Sequence, residues 1–92
     1  MTMRENEQII KVLVTNDSGS ISKVVVEPWA DGIDINQNDK IEITGVGPME
    51  NSLIELEYVG NSLIVYGWKG SLIFISINKV LQITASKEIA SI

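Results

Sequence analysis

Carboxylates carry most of the chemistry open to this chain, because its 92 residues include no histidine and no cysteine. Those two side chains supply most general bases, thiol nucleophiles and transition-metal sites near neutral pH. Glu42, Glu55 and Glu57 could imitate the paired acids of glycoside hydrolysis, but such a pair needs one apolar and one polar environment. We predict all three at the charged edge of one sheet face. The glycines also form no phosphate-binding motif before a helix. We therefore expect no enzymatic activity and no cofactor.

Asp34, Asn36 and Asn38 recur at every second position, as do the first three ligands of an EF-hand calcium loop. The match ends there, because Asp39 occupies the position of the required glycine and Gly45 that of the bidentate glutamate. Alternating polar residues on a short strand explain the spacing without a metal. We expect no metal site.

The segment Glu27-Pro28-Trp29-Ala30-Asp31-Gly32 places a tryptophan between two carboxylates. An indole flanked by carboxylates could stack on a sugar ring or a cationic side chain. A small-ligand or glycan site built from Trp29, Tyr66 and Trp68 is therefore one alternative function. The other interpretation, which we favour for Trp29, is that the indole is buried over one end of the core.

Negative charge is concentrated in the middle of the chain. From Glu27 to Glu57 there are eight acidic residues against Lys40 alone, a net charge of −7 that leaves +2 for the rest. Phosphate backbones would be repelled, so we expect no nucleic-acid binding. A solvated, solubilising surface is the simplest interpretation. The same charge would attract a basic protein partner. An acidic inhibitor or immunity-type protein that binds such a partner is therefore another alternative function. The candidate ligand or partner surface is Trp29, Asp31, Glu42, Glu55 and Glu57.

Apolar residues recur in short runs between turn signals, which predicts an all-β fold. We predict one domain over residues 1–92, with a flexible N-terminal segment at 1–7 and a tail at 86–92 that could form a helical turn. The predicted fold class is a small antiparallel β-sandwich or partly open barrel of seven to eight short strands with hairpin connections. The predicted strands are 9–15, 21–27, 33–36, 41–44, 53–59, 63–68, 72–77 and 80–84.

A two-residue turn at Gly60-Asn61 fixes a register for the hairpin around it. Leu56 then faces Val65 on one side of the sheet. Because side chains alternate along a strand, Glu55 pairs with Tyr66 on the opposite side. One face is thus predicted to be apolar core, and the other to mix acids with an aromatic residue.

Two further hairpins would extend that second face. A turn at Lys69-Gly70 would set Tyr66 against Ile73 and, in the same register, Ile64 against Ile75. A loop over 45–52 would pair the fourth predicted strand with the fifth and place Glu42 opposite Glu55. The resulting face runs from glutamates to isoleucines, so it needs a cover. Either the strands before Pro28 or a second copy of the chain could provide it.

The composition favours an interface. With 45% hydrophobic residues and a mean hydropathy of +0.18, the chain is more apolar than a small monomer normally is. We predict a non-catalytic interaction or structural module that self-associates, most simply as a dimer. The candidate interface is Ile64, Tyr66, Trp68, Ile73, Ile75 and Ile77. If the face is intramolecular core instead, the acidic edge and the Trp29 loop remain as surfaces for a partner.

The expected location is the cytoplasm. No apolar run reaches the eighteen or so residues of a membrane span, and the start, MTMRENEQII, lacks the pattern of a signal peptide. We expect no membrane association.

Several residues carry a resemblance to other proteins. Val12, Val14, Asn16 and Ser18, the strand end Val24-Val25-Val26-Glu27-Pro28-Trp29, and Gly60, Tyr66 and Gly67 resemble a group of small uncharacterised bacterial β proteins built around an EPW segment. The likeness covers about the first forty residues, and Ala30 follows the tryptophan where that group suggests glycine. The resemblance implies a small β domain and no particular activity.

Overall fold

The protein is a β-sandwich. The structure, a computed structural model, describes residues 6–27 and 31–84. Within these ranges every regular element is a strand, which confirms the all-β prediction. The eight described strands are β1 (Glu7–Thr15), β2 (Lys23–Glu27), β3 (Asp31–Asp34), β4 (Lys40–Pro48), β5 (Glu55–Val59), β6 (Ser62–Tyr66), β7 (Leu72–Ile77) and β8 (Val80–Thr84).

The described strands form two four-stranded sheets that do not close into a barrel. The first sheet has the order β1-β4-β7-β8 and the second the order β3-β2-β6-β5. β-Branched and leucine side chains at alternate positions of the central strands meet between the sheets, as the two-residue period of a strand requires. The fully buried apolar residues are Ile41, Ile43, Ile73 and Ile75 from the first sheet and Val24, Val26, Leu63 and Val65 from the second.

The chain crosses between the sheets four times, at the connections β1–β2, β3–β4, β4–β5 and β6–β7. The three remaining connections, β2–β3, β5–β6 and β7–β8, join antiparallel neighbours. One described pair, β2 with β6, is parallel, with Val25 opposite Ile64. The predicted antiparallel sandwich therefore contains one parallel pair, which the sequence analysis did not expect.

The predicted β5–β6 hairpin is confirmed. Leu56 lies opposite Val65 and Glu55 opposite Tyr66, with Val59 and Ser62 flanking the turn. Gly60 has a φ of 61°, whereas the φ of Asn61 is not positive. This is a type II′ turn, whose twist matches that of the strands it joins.

The predicted β6–β7 hairpin is wrong. The amide of Ser71 donates to the carbonyl of Trp68, and Gly70, with a φ of 83°, stands at the third position of that turn. Because φ is positive at Gly70 but not at Lys69, this is a type II turn, which splays its flanking strands. β7 therefore leaves the second sheet and pairs with β4 and β8 in the first.

The predicted pairing of β4 with β5 is also wrong. β4 continues through the supposed loop as far as Pro48, and its neighbours are β1 and β7. Gly45 is part of this strand, and the position requires glycine because a Cβ there would lie 2.6 Å from Trp68 Cζ3. The glycines of this segment give room for close packing and do not mark a turn.

The chain ends differ in part from expectation. β1 begins at Glu7, inside the segment predicted to be flexible, and pairs with the end of β4. The predicted tail at 86–92 lies outside the described residues.

The side chain of Asn16, only 2% exposed, holds two of the crossings together. Its Oδ1 accepts from the Ile21 amide at 3.0 Å, and its Nδ2 donates to the Ile21 carbonyl at 2.7 Å and to the Asn36 carbonyl at 2.9 Å. Its backbone amide donates to the carbonyl of Asp39, and its carbonyl accepts from the amide of Asn38. One residue thus joins the β1–β2 connection to the β3–β4 connection.

We predict that Asn16→Ala lowers the free energy of unfolding by about 2–4 kcal/mol, because buried backbone groups lose their partners. Asn61→Ala, at an exposed turn position, is the control and should change it by less than about 0.5 kcal/mol. Urea unfolding followed by tryptophan fluorescence measures both. Equal stability of the two variants would contradict the role given to Asn16.

Candidate functional site

The outer face of the second sheet gathers acidic residues around one tyrosine. Val24, Val26, Leu63 and Val65 point into the core, so alternation places their neighbours on the outside. In one row of the ladder, Tyr66 of β6 lies between Glu27 of β2 and Glu55 of β5. In the next row, Ile64 lies between Val25 and Glu57. We call this surface the acidic face: Val25, Glu27, Glu55, Glu57, Ile64 and Tyr66.

Tyr66 is anchored by one of these acids. Its hydroxyl donates to Glu57 Oε1 at 2.9 Å, a diagonal contact within reach of an aromatic side chain. That hydrogen bond, followed by partial desolvation and by the negative charges of Glu57, Glu27 and Glu55, raises the pKa of Tyr66 above its ordinary value of 10.0. The phenol of Tyr66 therefore stays protonated and neutral at physiological pH. The charged groups that raise its pKa are all carboxylates.

Half-buried apolar residues adjoin the acids. Val25 and Ile64 are neighbours across the parallel pair, and Gly32 of β3 continues their row without a side chain. Lys23, the lysine on the described strands of this sheet, lies opposite Asp34, at the other end of β2 and four residues from Glu27. The acidic face thus combines a small apolar strip with three glutamates and a phenol.

Part of the predicted interface lies in the core. Ile73 and Ile75 are fully buried between the sheets, and Trp68 is only 3% exposed. Ile77 is partly buried and packs against the core. Ile73, Ile75 and Ile77 cannot form the predicted outer surface because β7 belongs to the other sheet, and Trp68 cannot because it is buried. Ile64 and Tyr66 do lie on an outer face, although without the isoleucines of β7.

Trp68 has a structural role at the end of the sandwich opposite Asn16. Its Nε1 donates to the carbonyl of Pro48 at 2.7 Å, and its amide donates to the hydroxyl of Ser71 at 3.0 Å. Its ring packs on Gly45. A buried indole in these contacts cannot stack on a ligand, which removes Trp68 from the predicted glycan site.

The predicted partner surface is brought together only in part. Glu55 and Glu57 share the acidic face, whereas Glu42 lies on the first sheet between Leu13 and Ser76. Trp29 lies outside the described residues. Asp31 begins β3 in register with Val26, and its side chain is not among those described.

Sequence reasoning missed Glu27 and Val25 as members of this face. Their neighbours Tyr66 and Ile64 are about forty residues away along the chain, across the parallel pair. No turn joins β2 to β6, so no local signal sets their register. The alternation within β2 does indicate that Val25 and Glu27 share one side.

A shallow groove of about 350 Å³ opens at the end of the sandwich near the β7–β8 turn. It is lined by Asp34, Asn36, Asp39, Ile77, Asn78, Val80 and Gln82. Asp39 accepts from the Asn36 amide at 2.8 Å and from Asn78 Nδ2 at 2.9 Å, and these bonds lower the pKa of Asp39. The Asp39 carboxylate therefore links the turn at Asn36 to the turn at Asn78. Within the described ranges, no group of three or more carboxylates is arranged to hold a metal ion.

The outer face of the first sheet differs in chemistry from the acidic face. Its edge residues Ile9, Leu13 and Leu81 are exposed, with Leu72 and Phe74 half buried between them. The strands of this sheet carry two acidic and two basic residues: Glu7, Glu42, Lys11 and Lys40. The strands of the second sheet carry five acidic residues and one lysine. We call the neutral surface the apolar face: Ile9, Leu13, Leu72, Phe74 and Leu81.

Comparison with protein families, with curated proteins and with solved structures finds no match to this chain. Among the described residues, no helix is long and apolar enough to cross a membrane.

We predict that Glu57→Gln lowers the pKa of Tyr66 toward its ordinary value, because the phenolate would then lie beside one fewer carboxylate. Ultraviolet absorbance of the phenolate measures this in a Tyr58→Phe background, which leaves one titrating tyrosine. Glu42→Gln, on the other sheet, is the control and should leave that pKa unchanged. An identical pKa in both variants would disprove the coupling.

Proposed function

We propose that this protein is a non-catalytic interaction module whose acidic face binds a basic partner protein. The observation that carries the proposal is the setting of Tyr66, a neutral phenol bonded to Glu57 and flanked in its row by Glu27 and Glu55. Carboxylates beside an aromatic ring suit a lysine or arginine side chain, which gains from both.

The apolar part of the face suits the same partner. Lysine and arginine carry their charge on a long apolar stem, and such stems cover apolar surface while the charged head reaches an acid. Val25 and Ile64 offer a half-buried strip of that kind beside Glu57. Association with a basic protein would also be accelerated by the field of the acids.

Binding of a synthetic oligoarginine peptide tests the proposal. The triple variant Glu27→Gln, Glu55→Gln and Glu57→Gln should weaken binding about 3- to 150-fold at low salt, since each of three exposed ion pairs contributes roughly 0.2–1 kcal/mol. The matched control Asp17→Asn, Glu42→Gln and Glu50→Gln removes equal charge elsewhere and should weaken binding by less than about threefold. Isothermal titration calorimetry measures both.

Salt provides the second measurement. Binding through the acidic face should weaken as ionic strength rises and exposed charges are screened. Equal losses in the triple variant and its control would mean that net charge alone attracts the peptide, and the acidic face would then not be the site.

Self-association is a second candidate function, favoured by the exposure of the apolar face. Leu13 is 64% exposed, Leu81 56% and Ile9 41%. The strands of this sheet carry two acidic and two basic residues, so the charges of one copy can complement those of a second copy. A two-fold axis can bring Lys11 of one copy near Glu42 of the other. The acidic face lacks this property, because a second copy would bring acids against acids. We therefore assign self-association to the first sheet.

Light scattering coupled to size exclusion, over a range of protein concentrations, tests this assignment. We expect twice the mass of 10.1 kDa for the wild type and a monomer for Leu13→Lys. Leu53→Lys is the matched control, because Leu53 is 65% exposed but lies outside the first sheet, and it should remain dimeric. A monomeric wild type, or equal masses for both variants, would disprove the assignment.

A further inference from the structure

We propose that the free edge of β5 accepts an added β-strand of the partner, with basic and apolar residues at alternate positions. This inference rests on the proposed function, since it specifies how the basic partner is held beside the acidic face. Strand addition supplies main-chain hydrogen bonds, while alternate side chains supply specificity.

Within the part of the chain that the structure describes, no strand pairs with the edge of β5 that faces away from β6. β5 is the last strand of the second sheet, with β6 as its neighbour on one side. In a two-residue hairpin the residues that flank the turn form a hydrogen-bonded pair, and bonded pairs then alternate along the ladder. Val59, Glu57 and Glu55 thus bond to β6. Leu56 and Tyr58 belong to the intervening pairs, so their amides and carbonyls point to the free edge.

The side chains of β5 specify what such a strand must carry. Glu55 and Glu57 lie on the outer side and are exposed, so residues placed opposite them should be lysine or arginine. On the inner side, Leu56 is half buried against the core, and Tyr58 is 62% exposed. Apolar residues opposite these two would extend the core over the tyrosine ring.

Charge disfavours a second copy of β5 in the register that pairs the whole strand and in the register centred on Leu56. Antiparallel pairing centred on Glu57 would set this residue against itself, and pairing centred on Leu56 would set Glu55 against Glu57. Like charges directly opposite each other destabilise a ladder. A basic strand converts the same positions into opposite-charge pairs, so the occupant is a partner segment of alternating basic and apolar residues.

A peptide of alternating lysine and valine, matched to β5 in length, tests the inference with two N-methylated isomers. Amides of successive residues point to opposite edges of an extended strand. Methylation of the valine amides therefore blocks one edge, and methylation of the lysine amides blocks the other. For antiparallel addition we expect the valine isomer to bind about tenfold more weakly than the parent peptide and the lysine isomer to bind as the parent does.

Amide hydrogen exchange of the protein gives an independent readout. Addition of the parent peptide should slow exchange at Leu56 and Tyr58 and leave Glu55 and Glu57, already bonded to β6, unchanged. Binding through side chains alone would not produce this alternation.

The outcomes separate the two proposals. Equal binding of all three peptides, sensitive to the triple glutamine variant, would overturn strand addition and leave the acidic face as the binding site. No binding of any peptide would overturn both proposals. A loss confined to one isomer, with protection at Leu56 and Tyr58, would support both.

Discussion

The hydrogen bonds of the Asn16 side chain are the constraint on which the sandwich depends. Two sheets joined by chain crossings need those crossings held in place, and each crossing exposes backbone groups that no ladder satisfies. Asn16 holds two crossings together, because its Nδ2 donates to the carbonyls of Ile21 and Asn36, which lie in different crossings. At the other end, Trp68 plays the corresponding part through Pro48 and Ser71. The isoleucine and valine core lies between these polar anchors.

This arrangement divides the charges of the chain between two outer faces. The first sheet carries balanced charge and exposed aliphatic residues, whereas the second carries the glutamates around Tyr66. The core separates the two faces, so they present independent surfaces. The proposed dimer on the apolar face and the proposed basic partner on the acidic face would not compete for the same residues.

How much of the candidate site was predictable follows from the range of each interaction. Gly60-Asn61 sets Glu55 against Tyr66 and Glu57 against Ile64, since glycine at the first turn position specifies the type II′ hairpin. Lys69-Gly70 also forms a tight turn, but with a positive φ at Gly70 and not at Lys69 it is a type II turn, which separates β6 from β7. Glycine as the second central residue also suits a type I′ hairpin, so the residue types of this turn did not predict the change of sheet that makes Ile73 and Ile75 core.

The sequence by itself determined the all-β class, the approximate strands, the acidic middle of the chain and the β5–β6 register, because alternation and turn chemistry act over a few residues. Only the tertiary structure decided which strands share a sheet. The parallel pairing of β2 with β6, which brings Glu27 to Tyr66, depends on how the crossings place distant segments. Gly45 and Gly47 likewise resemble loop residues in sequence, yet they lie within β4, because Trp68 and Ser71 pack against their backbone. Such contacts are set by the shape of the assembled core, which no local pattern encodes.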